Sequence, residues 1–382
     1  MTFNPTSLNL VRRSGAALLL GAALLAGCSS SSKVPEPMVL DSFTALVPAR
    51  QVWTAQVGTT HAQLVPVARG ERVFVASAAG TLAALDGRTG GEVWRVNLAS
   101  PLSAGVGSDG TTAAVVTSNN QLVAVANGAE VWRAQLPARV FTPPLVAGQR
   151  VFVLAGDRSV SAFDVRTGAR LWSQAPRGTD PLVLQQAGVL LPVGDVLYAG
   201  IGGRLTAYNP NTGVVRSESA LATPRGVNEI ERLVDLVGPA GRVDTVVCAR
   251  AYQATVGCVN TAGPSVLWTR PSVGSVGVDA DADFVFTTES NGRVQALRRN
   301  NGEPAWSHDR LLHRGLTAPL AAGRSIVVAD AQGFVHLLSR LDGGLLNRLP
   351  TDGSPILATP VLAGNTLVAV TRNGNVYGWR PE

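Results

Sequence analysis

The chain has 382 residues, of which 46% are hydrophobic and 15% charged, and its formal net charge at pH 7 is +6. Two of these positive charges lie in the N-terminal segment and the other arginines are scattered, so no basic surface typical of nucleic-acid binding is predicted. No run of roughly 18 uncharged apolar residues follows residue 28, so no transmembrane helix is expected in the body of the chain.

Residues 1–27 have the features of a secretory signal peptide. Arg12 and Arg13 supply the positive region, and residues 15–26 form an apolar stretch too short to cross a bilayer comfortably. The stretch ends in Leu-Ala-Gly-Cys, similar to a bacterial lipobox, so Cys28 is the predicted lipidation site; a signal peptide with a chance cysteine is the alternative. Residues 28–49 are predicted to form a flexible tether, and Ser29 is typical of lipoproteins sorted to the outer membrane.

One phrase recurs along the rest of the chain: a small or apolar residue, Asp or Asn, a turn ending in Gly, and Trp four residues after that Gly. Complete copies span residues 84–94 and 162–172, and in two other copies Ser217 or Asn347 stands at the Trp position. The eight positions are 53, 94, 132, 172, 217, 268, 306 and 347. A period of roughly 40 residues corresponds to one four-stranded blade, so the repeat predicts an eight-bladed β-propeller.

Each repeat contains runs of β-branched and aromatic residues bounded by Gly, Asn and Asp, such as residues 72–76 and 150–154. These runs predict strands, and helical periodicity is nearly absent after residue 45, so the fold class is predicted to be all-β with antiparallel blades. The pairs Asn291-Gly292 and Asn373-Gly374 predict two-residue hairpin turns with positive φ at both positions.

The two ends of the chain are complementary. The last repeat stops after Trp379, before an outer strand of its own, whereas an unassigned strand at residues 51–57 precedes the first complete repeat. We expect this N-terminal strand to supply the outer edge of the last blade, which would close the ring and remove two exposed edges. The propeller would then span residues 50–382.

The repeated tryptophans are predicted to dock between blades rather than to bind a ligand. Burial of one Trp removes about 150–250 Å² from water, an upper-bound contribution of about 4–6 kcal/mol, which is sufficient to explain the motif structurally. These residues are Trp53, Trp94, Trp132, Trp172, Trp268 and Trp306.

Cys248 and Cys258 lie on the two strands of one predicted hairpin, ten residues apart. They share a face only if the turn between the strands has an odd number of residues, and a two-residue turn at Gln253 and Ala254 would separate them. An oxidising compartment permits a disulfide. The spacing therefore leaves both the bridged and the free state open.

No motif points to catalysis or to a cofactor. Histidines 61, 308, 313 and 336 lack metal-ligand spacing, and Cys-x-x-Cys, Gly-x-Ser-x-Gly and paired catalytic carboxylates do not occur. Residues 105–110 match Gly-x-Gly-x-x-Gly without its strand–turn–helix context, which favours a Gly-rich loop between strands. Residues 279–283 resemble the start of a calcium loop, but Phe284 and Ser290 replace its Gly and Glu, which favours a polar turn.

Three segments interrupt the repeat pattern, at residues 181–186, 228–235 and 309–314. Each of them alone is compatible with an ordinary connection between blades. Together they predict a partner-binding face, because loops on a rigid scaffold carry function and leucines rimmed by charges are typical of binding hot spots.

The blades resemble the quinoprotein-type Trp-docking repeat, and the lipobox, the eight blades and the segments at 229–233 and 311–317 together are similar to the BamB family. These are lipoprotein subunits of the machinery that inserts β-barrels into the bacterial outer membrane. The resemblance implies a non-enzymatic scaffold, lipid-anchored at the periplasmic face of the outer membrane. Its implied partners are the POTRA domains of BamA and other BAM subunits, with unfolded barrel precursors as a second partner that would add a strand at blade edges.

The resemblance also implies which residues bind. Gln185 and Val237 stand where the family is expected to have an Arg and a second acid. The predicted partner-binding residues are Leu182, Leu184, Gln185 and Asp235, supported by Glu229, Glu231 and Arg232, and, in the third segment, Leu311, Leu312, His313 and Arg314.

Two other classes of protein compete with this interpretation. A quinone-dependent dehydrogenase shares the blade motif, but it needs a calcium site, a catalytic Asp and usually adjacent cysteines over the quinone. A propeller that binds sugars or the cell wall needs exposed aromatic residues, and six of the seven tryptophans already occupy docking positions.

Overall fold

The computed structural model describes residues 1–2, 35–175, 182–229 and 232–381. Residues 37–382 form one compact unit and residues 1–36 form another. The described residues fold into 32 strands. Within these ranges there is no helix whose length and hydrophobicity would allow it to cross a membrane.

The first strand, β1 (Ala49–Gln56), is followed by seven four-stranded antiparallel sheets, each made of consecutive strands and forming one blade. Blades 1 to 4 consist of β2 (Val67–Arg69), β3 (Arg72–Ala76), β4 (Thr81–Asp86) and β5 (Glu92–Asn97); β6 (Leu102–Ser108), β7 (Thr112–Thr117), β8 (Gln121–Ala126) and β9 (Ala129–Gln135); β10 (Leu145–Ala147), β11 (Arg150–Leu154), β12 (Val160–Asp164) and β13 (Arg170–Gln174); and β14 (Leu190–Val193), β15 (Val196–Ile201), β16 (Arg204–Tyr208) and β17 (Val215–Ala220). Blades 5 to 7 consist of β18 (Leu236–Val243), β19 (Val246–Ala251), β20 (Thr255–Asn260) and β21 (Ser265–Pro271); β22 (Val278–Ala280), β23 (Phe284–Thr288), β24 (Val294–Arg298) and β25 (Pro304–His308); and β26 (Leu320–Ala322), β27 (Ser325–Ala329), β28 (Phe334–Ser339) and β29 (Leu345–Pro350).

Blade 8 joins the two ends of the chain. It contains β30 (Val361–Ala363), β31 (Thr366–Val370) and β32 (Asn375–Pro381), and β1 pairs antiparallel with β32 as its outer strand. The predicted eight-bladed all-β propeller, closed by the N-terminal strand, is therefore confirmed.

The antiparallel order of the strands defines two faces of the ring. First strands of neighbouring blades contact one another, as β6 does with β10 and β22 with β26, so they surround the centre and the fourth strands form the rim. Connections between blades lie at the same end as the turns between second and third strands, and we call this end the crossover face. The opposite end, which carries the turns between third and fourth strands, is the turn face.

The tryptophans pack against the turn face of the following blade. The indole Nε1 of Trp53 donates a hydrogen bond to the carbonyl of Gly87 (2.9 Å), and a Cβ built at Gly90 would lie 2.6 Å from the ring. Glycine is therefore needed at the position where the turn contacts the indole ring of the tryptophan. The same indole bond is made by Trp132, Trp172, Trp268 and Trp306, to the carbonyls of Val165, Pro210, Arg299 and Arg340.

The two positions without Trp, Ser217 and Asn347, lack the indole contact with the following blade. Asn347 precedes blade 8, whose third and fourth strands are not joined in sequence, and its Nδ2 donates to the carbonyl of Val47 (2.8 Å) just before β1. At Ser217 the following turn is uncovered, because a Cβ built at Gly263 has no neighbour within 4 Å. At Asn347 the Trp is thus missing where its docking partner differs, and at Ser217 the following turn has no indole packed on it.

Two local predictions are wrong. Asn291-Gly292 and Asn373-Gly374 do not form two-residue turns: only the glycines have positive φ (91° and 83°), and the hydrogen bonds from Glu289 to Arg293 and from Thr371 to Asn375 leave three residues in each turn. Residues 105–110 do not form a loop throughout, because residues 102–108 are strand β6. Gly107 permits a close approach there, since a Cβ at this position would lie 1.8 Å from the carbonyl oxygen of Pro144.

Cys248 and Cys258 are direct partners in the register of β19 and β20 and form a disulfide. The turn between these strands spans residues 252–254, an odd number, so both side chains point to the same face. Both side chains are completely buried in a cluster that includes Trp268 and residues from β22, β23 and β24 of blade 6.

Candidate partner-binding face

The three segments predicted to bind a partner all belong to the crossover face. Residues 182–185 connect blades 3 and 4, residues 229–235 connect blades 4 and 5, and residues 311–314 connect blades 6 and 7. The structure joins the first two segments and leaves the third apart. Glu231 and the predicted lipidation site Cys28 lie outside the described residues.

Asp235 holds the first two connections together. Its Oδ2 accepts a hydrogen bond from the backbone N–H of Leu184 (3.1 Å), and its Oδ1 accepts one from Gly202 in blade 4 (3.2 Å). Arg158, in the turn between β11 and β12, forms an ion pair with the same carboxylate (3.2 Å) and also donates to the carbonyl of Leu182 (3.0 Å). Asp235 therefore fixes the loop backbone instead of presenting its charge to solvent.

Arg158 is a residue that the sequence reasoning missed. It lies in an ordinary polar turn with positive φ (68°), and its partner is 77 residues away. Because nothing in the spacing of the repeat links these positions, only the fold reveals the pair. We call Arg158 and Asp235 the loop clamp.

The clamp leaves part of the first connection facing solvent. Leu182 is 37% exposed and the Gln185 side chain is exposed, whereas Leu184 is half-buried beside Phe141 and Leu236. Glu229 and Arg232 are exposed in the second connection. The exposed set thus combines an aliphatic side chain with amide and charged groups.

A second contact holds the first connection from across the ring. The side-chain Nε2 of Gln63, between blades 8 and 1, donates to the carbonyl of Gln185 (3.3 Å). Gln63 is itself held by His61, whose ring also contacts the carbonyl of Leu102 (3.0 Å). The backbone at Gln185 is therefore fixed on both sides, while its side chain remains exposed.

The third segment does not form the expected exposed patch, and the prediction is wrong for Leu311 and Arg314. Leu311 is 1% exposed and fills the core between blades 6 and 7. Arg314 is 5% exposed and its Nε donates to Asp330 (2.6 Å). A hydrophobic side chain in a connection between blades can insert into the interblade core, which the sequence alone does not distinguish from exposure.

Asp330 is the centre of a buried ionic network in blade 7. Its Oδ2 receives hydrogen bonds from Arg314 and from Nε2 of His336 (2.9 Å). Burial alone would raise the pKa of Asp330, but the hydrogen bonds from His336, the backbone of Phe334 and Arg314 outweigh it and lower the pKa. Burial lowers the pKa of His336, so this ring is favoured in its neutral form.

The chain itself covers the third segment. Residues 38–47, the N-terminal strap, begin with Met38, which donates to the carbonyl of Leu312 (2.9 Å) and accepts a bond from Nη1 of Arg314 (2.9 Å). Further along, Asp41 pairs with Arg310 (3.0 Å) and the backbone N–H of Leu46 donates to Leu346 (2.8 Å) in the rim of blade 7.

These contacts contradict a flexible tether over the strap. The strap also leaves Leu312 half-buried beneath it and His313 exposed. The third segment therefore receives the N-terminus of the propeller, and blades 6 and 7 offer little of the predicted docking surface.

The acidic run at residues 279–283 is engaged by a blade-to-blade contact. The Arg340 guanidinium pairs with Asp281 and Asp283, and Asp279 accepts a backbone hydrogen bond from Ala321 (2.8 Å). In the described ranges no group of three or more His, Cys, Asp or Glu side chains has an arrangement suited to a metal ion.

Comparison with known proteins places these features in a family. The chain matches the family described as outer membrane protein assembly factor BamB over residues 44–100 and 78–308. It is 39% identical to the protein of that name from Burkholderia pseudomallei (98% of this chain, 100% of the relative) and 33% identical to that from Bordetella pertussis (95% of each).

Solved structures agree with this assignment. The crystal structure of BamB from Moraxella catarrhalis superimposes with a TM-score of 0.79 at 25% identity, covering 87% of this chain and all of that one. Quinohemoprotein alcohol dehydrogenase from Comamonas testosteroni shares the fold, with a TM-score of 0.67 at 12% identity over 87% of this chain and 76% of that one. This chain belongs to the BamB family of outer membrane protein assembly factors.

Proposed function

We propose that this protein is a non-enzymatic scaffold of the outer membrane β-barrel assembly machinery and binds the POTRA domains of BamA through the connections around Leu182 and Asp235. The observation that carries the proposal is the loop clamp, which fixes the backbone of residues 182–184 while Leu182 and the Gln185 side chain stay exposed. Family membership supports the assembly role.

The physical reason is preorganisation. A loop already held in its bound shape loses little conformational entropy when a partner docks, so more of the contact energy appears as affinity. Leu182 offers the apolar centre, and Gln185, Glu229 and Arg232 offer a polar rim. Asp235 contributes through the backbone it holds, and we assign it a positioning role.

The predicted lipid anchor at the N-terminus is also part of the proposed function. Lipidation at Cys28 would hold the protein at the periplasmic face of the outer membrane, where BamA and the other subunits of the complex act. Two or three acyl chains anchor a protein firmly, whereas a single chain binds reversibly. The anchor and the propeller would thus keep the docking loops near their partner.

The rim of blade 7 supports unfolded barrel precursors as a further partner. Backbone N–H groups of Leu46 and Val47 donate to the carbonyl of Leu346, so a backbone carbonyl at this blade edge accepts hydrogen bonds from another segment of the chain. Precursors would use the same chemistry at the rims of other blades.

The dehydrogenase alternative fits the site less well. The adjacent cysteines it usually requires are replaced by Cys248 and Cys258, ten residues apart and buried inside blade 5. The shared fold with a quinohemoprotein is compatible with either class, because a fold hosts many functions. We propose no cofactor.

The test is the affinity of the mature protein for purified BamA POTRA domains from the same organism. We expect Leu182→Asp to weaken binding about fivefold or more, a loss of about 1 kcal/mol that only a minority of interface residues reach. Leu341→Asp is the matched control, because Leu341 is 69% exposed but lies on the turn face of blade 7. Wild-type affinity of the Leu182 variant would contradict the proposal.

A further inference from the structure

A third connection on the crossover face also presents an aliphatic side chain. Residues 272–277 join blades 5 and 6, and Val273 in this connection is 64% exposed. Its backbone is fixed on both sides: Ser290 N–H donates to the carbonyl of Val273 (2.9 Å), and Gln253 N–H donates to that of Gly274 (3.0 Å). An exposed valine on a loop held in this way is a preorganised contact.

A buried ion pair supports the connection from beneath. Arg250 is completely buried, and its Nη2 donates to Oε1 of Glu289 (3.0 Å), which also accepts from Ser272 Oγ (2.8 Å). The loop lies directly on the guanidinium, since a Cβ built at Gly274 would be 1.0 Å from Nη1 of Arg250. Arg250 thus sets the height of the connection above the blade.

This connection is continuous with the docking loops. Tyr252 N–H donates to the backbone carbonyl of Asp235 (3.0 Å), and Gln253, the next residue, bonds to Gly274. A chain of hydrogen bonds therefore runs from Leu182 and Leu184 through Asp235 to Val273. The connections between blades 3 and 4, 4 and 5, and 5 and 6 are therefore joined by hydrogen bonds.

A charged residue that shortly precedes Val273 in the chain indicates what kind of partner fits there. Arg270 is exposed at the end of β21 and forms no ion pair with any of the described side chains. An unpaired guanidinium three residues from an exposed aliphatic side chain suits a partner surface that combines an apolar pocket with a carboxylate.

We infer that residues 270–274 are a third contact of the docking face, with Val273 as an apolar anchor and Arg270 as its charged neighbour, against the same POTRA partner. This inference rests on the proposed function. Arg250 and Gly274 position the connection and do not touch the partner.

The experiment measures the affinity of the mature protein for purified POTRA domains. It compares the wild type with four variants, Val273→Asp, Arg270→Glu, Leu182→Asp and Leu341→Asp. We expect Val273→Asp to weaken binding about fivefold or more, with unchanged thermal unfolding because the side chain is exposed. Arg270→Glu should weaken binding and reduce its dependence on salt, since one charge-assisted contact is lost. Leu341→Asp should bind as the wild type does.

The binding results distinguish failure of the inference from failure of the proposed function. If Leu182→Asp weakens binding while Val273→Asp and Arg270→Glu retain wild-type affinity, the inference is overturned and the proposed function stands. If all variants retain wild-type affinity, the proposed function fails with it. Loss with both Val273→Asp and Leu182→Asp supports a single surface over three connections.

Discussion

Replacement of Trp53 by alanine tests how the ring is closed. Trp53 lies in β1, the strand that the N-terminus contributes to blade 8, and it is 7% exposed. Its ring packs on Gly90 of blade 1 and its indole donates to Gly87, so one side chain joins the closing strand to the following blade. We expect Trp53→Ala to lower the free energy of unfolding more than the same change at Trp94, which is less buried.

The magnitude follows from burial and from the hydrogen bond. A buried Trp contributes about 4–6 kcal/mol as an upper bound from its area, and buried Trp-to-Ala changes cost about 3–5 kcal/mol. Loss of the indole bond adds about 1 kcal/mol. We therefore expect a loss of about 4 kcal/mol, a large part of the 5–15 kcal/mol roughly typical of native proteins.

The assay is denaturation in urea, followed by circular dichroism, with Trp94→Ala as the control. Trp94 packs against Gly128 but is only half-buried, and its indole makes no hydrogen bond with the described residues, so we expect about half the loss. Trp53→Phe should recover most of the packing and cost about 1 kcal/mol for the missing bond. A loss below about 1 kcal/mol for Trp53→Ala, or equal losses at the two positions, would refute the argument that Trp53 docks the closing strand on blade 1.

Two other perturbations test a contact between blades and the buried ionic network of blade 7. Gly343→Ala should destabilise the protein by about 1–3 kcal/mol, because its Cβ would lie 2.5 Å from the Trp306 ring and its φ is +73°; Gly148→Ala, with φ +56° and nothing within 4 Å, is the control that carries only the backbone strain. Similar losses in urea denaturation for both variants would show that the ring contact is unimportant. Stability should also fall as the pH drops through about 6.5, because burial lowers the pKa of His336 and the unfolded chain then binds a proton that the folded chain does not. His336→Gln should flatten this pH dependence of the unfolding free energy, leaving the part due to His308, whose pKa burial also lowers; an unchanged slope would contradict the assignment.

The architecture was predictable because the glycine and the tryptophan of the repeat each have one main structural role. A turn ending in Gly and followed by Trp is compatible with few arrangements. The indole packs on the turn of the following blade, and a residue with a side chain would clash with the indole there. Closure followed from counting strands at both ends. Even the missing Trp at Asn347 agrees with it, because blade 8 has no continuous turn to receive an indole.

The site was less predictable because exposure depends on neighbours that are distant in sequence. Leu311 and Leu182 look alike as leucines in interrupted repeats, yet the first enters an interblade core and the second faces solvent. Similarly, the charge of Asp235 suggested a contact with a partner, whereas Arg158, Gly202 and Leu184 surround its carboxylate. Neither difference has a signal in local composition.

The connections on the two sides of the crossover face therefore make different contacts. Blades 6 and 7 bind the chain's own strap through Leu312, Arg310 and Arg314, which fixes where the N-terminus leaves the propeller. Blades 3 to 6 hold their connections with internal ion pairs, Arg158 with Asp235 and Arg250 with Glu289, and leave aliphatic side chains exposed above them. Because these charges are engaged inside the protein, affinity for a partner should depend on exposed residues such as Leu182 and on loop geometry. Loss of binding on substitution of Asp235 would consequently report a displaced loop.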